Sequence, residues 1–316
     1  DFCLSRGLGD VYKRQGMAII TILCLTMINC NLSNAYPSSQ ETVMNICKAI
    51  VFVVSSASCL SALAQIQEIK SSNNQIGIQG ISSYVDYTET NDGRFGTTVG
   101  KLNTETGWVP GFAVSASVMK DWLFGNDYLQ FQYSRNKGHT DYTGSRLTGG
   151  VFGSAVQQND ATLTDYSLRW GKGFSVNQSS MFTPFLEVGR HEWKRAVNQG
   201  ETYTNNYYGI GALAQYSPMP RLVLSANALI GRTFSSDISV NGPLGFSGGL
   251  GNSNLYKVGL SADYAFTQKF RGNVGINYSA FKYGASGNYP VGGTVTWEPD
   301  SRTRYTTISA GVGYAF

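Results

Sequence analysis

The sequence predicts an all-β protein: a transmembrane antiparallel up-and-down β-barrel of about ten strands. Three observations point there. Charged residues make up only 14% of the 316, well under the ~25% usual in soluble domains. Glycine (37) and tyrosine (19) are abundant, and no stretch beyond the N-terminal region approaches the ~20 consecutive apolar residues of a membrane helix. The end of the chain alternates: Thr306, Ile308, Ala310, Val312, Tyr314 and Phe316 fall on one face, and Tyr305, Thr307, Ser309, Gly311, Gly313 and Ala315 on the other. Period two with one apolar and one small or polar face marks a strand between two different solvents.

The N-terminal region divides into two parts. Residues 1–43 read as non-native or upstream read-through sequence, the first fifteen showing neither helical nor strand period. Residues 44–64 read as a secretory signal peptide, with Lys48 as its basic part, a short apolar run after it, and Ala62 and Ala64 as the small residues of a cleavage site. A start at Met17 is the alternative to Met44, but no basic residue separates that methionine from its apolar run. Cys59 could end a lipobox, yet Ser56 stands where that motif needs a large aliphatic residue. All five cysteines precede residue 60, so residues 65–316, the barrel domain, hold no thiol for a disulfide or metal.

Within that domain, alternating segments recur between short turns and long polar loops. The stretch 65–74 is expected to be a polar lead-in. The first strand, about 76–87, loses phase between Ile78 and Ile81, and a bulge near Gly80 would restore it. Strand two (110–118) turns Phe112, Val114 and Ala116 outward. Strand three carries Leu129, Phe131 and Tyr133, and a loop is expected over 135–160. Strand four sets Tyr166, Leu168 and Trp170 against Asp165, Ser167 and Arg169. Strand five sets Leu186 and Val188 against Glu187. Strand six places Tyr208, Ile210 and Ala212 outward, and strand seven Leu222, Leu224 and Ile230. A second long loop is expected over 235–253. Strand eight sets Tyr256, Val258 and Tyr264 against Lys257 and Asp263, strand nine sets Val274, Ile276 and Tyr278 against Arg271 and Asn273, and a third loop covers 284–303. Ten strands put both termini at the short-turn end; eight or twelve would preserve that parity.

With these strands, the leader and the end Gly313-Tyr314-Ala315-Phe316 in view, residues 65–316 resemble a Gram-negative outer-membrane β-barrel protein of the general porin-like or opacity-like kind. That resemblance implies location in the cell outer membrane, contact with its lipid, and recognition of Tyr314 and Phe316 as an assembly signal by the barrel assembly machinery. The aromatics Trp170, Tyr208, Tyr216, Tyr264, Phe266, Tyr278 and Tyr314 are expected to form interfacial girdles. The inward charges Asp165, Arg169, Glu187, Lys257, Asp263 and Arg271 are expected to pair in a lumen network, because an unpaired buried charge costs several kcal/mol, roughly.

Chemistry-bearing patterns are few. Only two histidines occur. The omptin family of outer-membrane proteases shares the strand number and uses an Asp pair with an Asp/His pair at the outer rim. Here His139 and Asp141 stand in reversed order and no Asp-x-Asp accompanies them; Asp86, Asp92 and Asp237 are scattered. A metal site from His139, Asp141, His191 and Glu192 would draw on separate elements. No serine stands at matching spacing beside either histidine for a lipase, and no GxxxxGK(S/T) occurs for phosphate binding. The net charge of +4, without a Lys/Arg block, gives no reason to expect nucleic acid. The sequence therefore leads to a non-enzymatic barrel without cofactor or metal, its long loops serving surface binding, adhesion or a structural role toward an extracellular ligand. A small passive pore is the alternative, and a rim protease or lipid-modifying enzyme the second.

Overall fold

A computed structural model describes residues 65–94, 99–145, 151–197, 199–243 and 245–316. The leader expected over 44–64, with Ala62 and Ala64, lies outside the described residues, as does 1–43.

Ten long antiparallel strands follow a short helix. They are β1 (Gln75–Asn91), β2 (Gly100–Lys120), β3 (Asp127–Gly144), β4 (Ala155–Lys172), β5 (Ser180–Arg195), β6 (Glu201–Met219), β7 (Leu222–Val240), β8 (Asn254–Ala265), β9 (Phe270–Tyr283) and β10 (Asp300–Ala315). Each pairs with its neighbours in the chain, and β10 also pairs with β1, from Gln75 opposite Ala315 to Thr90 opposite Asp300. The sheet is therefore a closed barrel with no free edge, the only way a sheet can satisfy its backbone in hydrocarbon. Two small pieces extend the wall, Phe174–Asn177 beside the start of β5 and Ser247–Leu250 beside the end of β7, and Tyr289–Val291 with Thr294–Thr296 forms a separate hairpin.

Several expectations are corrected. The first strand has no bulge at Gly80: its register with both neighbours runs unbroken through that residue, and the one irregularity lies at Glu89/Thr90. The phase never breaks. Ile76 and Ile78 face outward and are more than half exposed, whereas Ile81, Val85 and Tyr87 face the interior and are buried. The outer half of the lumen is thus an apolar and aromatic core, and the inward face is not uniformly small or polar. The three loops are also shorter than expected, since β3 runs on to Gly144 and β4 begins at Ala155, β7 continues to Val240, and β10 begins at Asp300. Strands reach up to 21 residues, about twice the 9–11 that cross a bilayer, so the surplus stands clear of it.

The stretch expected as a polar lead-in is helix α1 (Gln65–Ser72). Glu68 in its first turn and Lys70 in its last suit the helix dipole. Ile69, wholly buried, and Ile66 lie one turn apart on the face that packs against the barrel core. The helix stops where Ser72 Oγ and the Asn73 amide both bond to the Ile69 carbonyl. It fills the barrel end that carries the short turns. Asn73 and Gln215 exchange amide hydrogen bonds of 2.7 and 3.0 Å, and Arg271 reaches Glu68 Oε2 at 3.3 Å.

Candidate functional site

The interior is built in layers, because inward positions recur every second residue on all ten strands. At the short-turn end, Arg271 bonds Asp263, Glu68 and Ser71, tying β8 and β9 to α1. In the middle, Glu187 is almost wholly buried and holds two cations: Oε2 accepts from Arg169 at 2.7 and 2.9 Å, and Oε1 from Lys257 at 3.0 Å and Tyr207 at 3.0 Å. The Arg169 guanidinium also lies 3.9 Å from the centre of the Phe185 ring. Next outward, His191 bonds Asp165 through Nδ1 at 2.8 Å and the Tyr305 hydroxyl through Nε2 at 3.1 Å. The six inward charges named from the sequence therefore fall into three separate groups, and Asp165 is matched with a histidine.

Beyond His191 lies a dense aromatic layer. The Tyr87 ring meets Trp193 at 5.1 Å, Trp193 stacks on Tyr203 at 5.8 Å, and Tyr203 meets Tyr283 at 5.2 Å. Trp193, Tyr87, Tyr203 and Tyr283 are completely buried. Set among them is the buried guanidinium of Arg195. It faces Glu201 at 2.9 Å, Glu105 at 3.4 Å and Glu89 at 3.9 Å, and lies over the Tyr87 and Trp193 rings. A fourth carboxylate, Glu298, descends from the segment between β9 and β10. It takes a 2.5 Å hydrogen bond from Tyr203 and a 3.5 Å one from Tyr87, and among the described residues it makes no ion pair. Burial first, then the negative charges of Glu89 and Glu201, hold its carboxyl well above the usual carboxylate range.

This layer was missed in the sequence. Glu89 continues the odd-numbered inward phase of β1, while Glu105 and Glu201 stand in stretches left unassigned or given to a loop. Extending the phase of Ser83, Val85 and Tyr87 by one more step reaches Glu89. Nothing local marks Glu298.

The two histidines lie on opposite sides of the wall. His139 is on β3, not in a loop; it is 60% exposed and pairs with Asp160 on β4 at 2.8 Å. His191 is buried within, whereas its neighbour Glu192 turns outward to Lys194. His139, Asp141, His191 and Glu192 thus do not converge. Among the described residues no group of three or more potential ligands gathers to hold a metal.

The exterior decides where the molecule sits. Around the wall Ile76, Phe112, Phe131, Leu168, Leu186, Val188, Ile210, Ile230, Val258, Val274 and Val312 point outward, each 44–67% exposed. Aromatics border them, with Phe270 against Tyr314 at 5.5 Å and Tyr264 against Phe266 at 5.6 Å at the short-turn end, and Tyr84 against Trp108 at 5.4 Å toward the other. An apolar belt this extensive is insoluble in water and matched to lipid. The molecule is an integral outer-membrane β-barrel. Short turns and α1 mark the periplasmic end of the barrel and the longer connections its extracellular end.

No protein-family model matches the chain, and no curated protein matches it. Solved structures similar to it include the outer membrane protease OmpT of Escherichia coli, at 10% identity over 77% of this chain and 95% of that one, TM-score 0.49. The outer membrane protein OprG of Pseudomonas aeruginosa matches at 11% identity, over 77% and 98%, TM-score 0.33. Ail, the attachment invasion locus protein of Yersinia pestis, matches at 12% identity, over 77% and 99%, TM-score 0.30. Likenesses this distant leave the assignment resting on the barrel's own register and exterior.

Proposed function

We propose that this barrel is a non-enzymatic outer-membrane protein, closed to solutes, that acts through its extracellular surface. The observation that carries the reading is the double seal. Helix α1, with Ile69 buried and Asn73 bonded to Gln215, fills the periplasmic end. The aromatic layer and Glu298 fill the outer end. The surface left for partners consists of the connections between strands, where Val99, Val151 and Val295 are exposed on the outer loops.

The placement of the histidines supports the absence of catalysis. His139 is an exposed wall residue paired with Asp160, and His191 is engaged through both ring nitrogens beneath the aromatic layer. Neither stands at a rim beside a second acidic pair. Tyr314 on the terminal strand, with Phe316 beyond it bonded to Asn74 through its backbone, is the segment we assign to the barrel assembly machinery.

Planar-bilayer recording tests the closed lumen. The purified barrel should show no stable conductance steps; steady steps in the full-length protein at neutral pH would establish the passive pore instead. Incubation with peptide and lipid substrates should yield no hydrolysis, and turnover abolished by His191→Ala would establish an enzyme.

A further inference from the structure

The outer seal is made of two different things, a fixed aromatic layer on the strands and a single carboxylate brought in by a loop. We propose that the segment joining β9 to β10, residues 284–299, is a proton-controlled lid: it stays seated while Glu298 is protonated and lifts from the mouth when Glu298 loses its proton. The inference rests on the closed-barrel reading and adds that the closure is conditional.

The contacts show how the lid is held. The Glu298 amide donates to Ser286 Oγ at 2.7 Å, and the Ser286 amide returns a bond to the Glu298 carbonyl at 2.8 Å, so the two ends of the segment are fastened together. Pro299 keeps the preceding Glu298 in extended backbone, aiming its side chain down into the barrel. The lid tip lies on neighbouring loops, with Tyr289 stacked on Phe246 at 5.0 Å and Arg94 Nη1 donating to the Ser286 carbonyl at 2.9 Å. Among the described residues, the groups acting on Glu298 are acidic or neutral apart from Arg195. Glu89 from β1, Glu105 from β2 and Glu201 from β6 already surround that guanidinium, while Tyr87 and Tyr203 offer hydroxyls.

Four carboxylates and one guanidinium cannot all be charged in a buried site, and Glu298, the one of the four that makes no ion pair with Arg195, is the least compensated when ionised. Protonated Glu298 is neutral and satisfied by the tyrosine hydroxyls. Ionised, it adds a further negative charge facing Glu89 and Glu201, in a layer where three carboxylates already outnumber the one guanidinium. The other three carboxylates are on wall strands and cannot leave, whereas Glu298 is on the one element that ends in a loop. Loss of its proton is therefore relieved by lifting 284–299 into water.

Residues 65–316 hold no cysteine, so one placed beneath the lid is the only thiol once the five cysteines before residue 60 are replaced by serine. Ser301→Cys is suited to this: Ser301 is 4% exposed, pairs with Glu89 across the β1–β10 seam, and its hydroxyl has no partner to lose. Labelling by a membrane-impermeant maleimide is measured between about pH 5 and about pH 9 and divided by that of the exposed control Val295→Cys, which corrects for the reagent, while the Glu298→Gln background carries the same buried thiol and corrects for that thiol's own titration. The ratio should rise about tenfold or more in the Ser301→Cys protein and stay flat when Glu298→Gln is added. A flat ratio in both, with the lumen closed throughout, overturns the lid and leaves the closed-barrel reading standing. Stable conductance at every pH overturns the closed-barrel reading itself. An equal rise in both proteins removes Glu298 as the sensor. If the variants fail to fold, hydrogen exchange of the 284–299 amides in the unsubstituted protein gives the same decision: exchange must accelerate with pH beyond the intrinsic base-catalysed rate, and its failure to do so overturns the proposal.

Discussion

Removing the carboxylate of Glu187 is the sharpest test of how the barrel interior is held together. Its side chain is 2% exposed, that of Arg169 15% and that of Lys257 28%. Glu187→Ala leaves both cations without their anion and deprives Tyr207 of an acceptor. Breaking a buried pair from one side costs about 3–5 kcal/mol, because the remaining charge is left uncompensated. Here two considerations favour the lower end. Lys257 is open enough to take up water, and Arg169 keeps its stacking on Phe185. The expected loss is about 3 kcal/mol, measured as the shift in reversible urea unfolding in detergent, followed by tryptophan fluorescence and by heat-modifiable gel mobility. The companion variant carries Glu187→Leu, Arg169→Met and Lys257→Met. It replaces the cluster with apolar groups of similar reach and should recover stability to within about 1–2 kcal/mol of the parent. If Glu187→Ala costs less than about 1 kcal/mol, the cluster is hydrated and contributes little. A triple variant as unstable as the single one would show that shape, not charge, governs the site.

Other expectations address the wall, the seam, the inner seal and the titration. Ile210→Arg, on an outward position 67% exposed to lipid, should destabilise the barrel by about 2–4 kcal/mol in bilayers if it lies at mid-depth, and unfolding in lipid vesicles measures it. At Gly311→Ala the added Cβ would sit 2.2 Å from the Ile78 carbonyl oxygen and 2.7 Å from Gln79 Cα, so the β1–β10 seam must part; the heat-modifiable folded band should fall sharply, and normal folding would refute the tight register there. Ile69→Asp places a charge at a wholly buried position and should dislodge α1, seen as faster proteolysis of 65–74 with the barrel band intact. For pH, the sign follows from a folded-state pKa of Glu298 raised above its unfolded value. Its stabilising contribution is complete below the ordinary carboxylate pKa and is lost as pH rises through the elevated one, so the unfolding midpoint should fall with rising pH in the parent and less in Glu298→Gln.

The wall was readable because lipid and lumen impose opposite demands on successive residues. From Phe112 through Val312, outward positions were recovered wherever the inward neighbours were Ser, Asn, Gly or Gln. Inward Leu213, Val223 and Leu229 were read correctly too, since the phase around them is continuous, and the reading failed only in the first strand, where outward isoleucines give way to inward apolar residues. Ile81, Val85 and Tyr87 looked like a strand that had slipped by one residue, and only the unbroken register opposite β2 and β10 shows that the interior itself changes character. Helix α1 was hidden for a related reason: two isoleucines among polar residues are too weak a period to stand out, and their burial comes from the barrel around them. His139 was placed in a loop since Gly, Thr and Asn dominate its neighbourhood, yet above the membrane both faces of a strand meet water or a polar lumen and alternation fades.

The same change of environment explains why the chemistry at the outer end was the least legible part. Periodicity reports which side of a sheet a residue occupies, but it says nothing about which residues from distant strands share one level. Glu89, Glu105, Arg195 and Glu201 come from β1, β2, β5 and β6, and they meet because a closed barrel brings every second residue of each strand to a common axis. Glu298 is added by a loop whose approach depends on Tyr289, Phe246 and Arg94. Three acids on one cation can be fixed by the wall alone. The fourth is tolerated only through a proton and two tyrosine hydroxyls, so the part of the seal least determined by strand pairing is also the part that solution conditions can move.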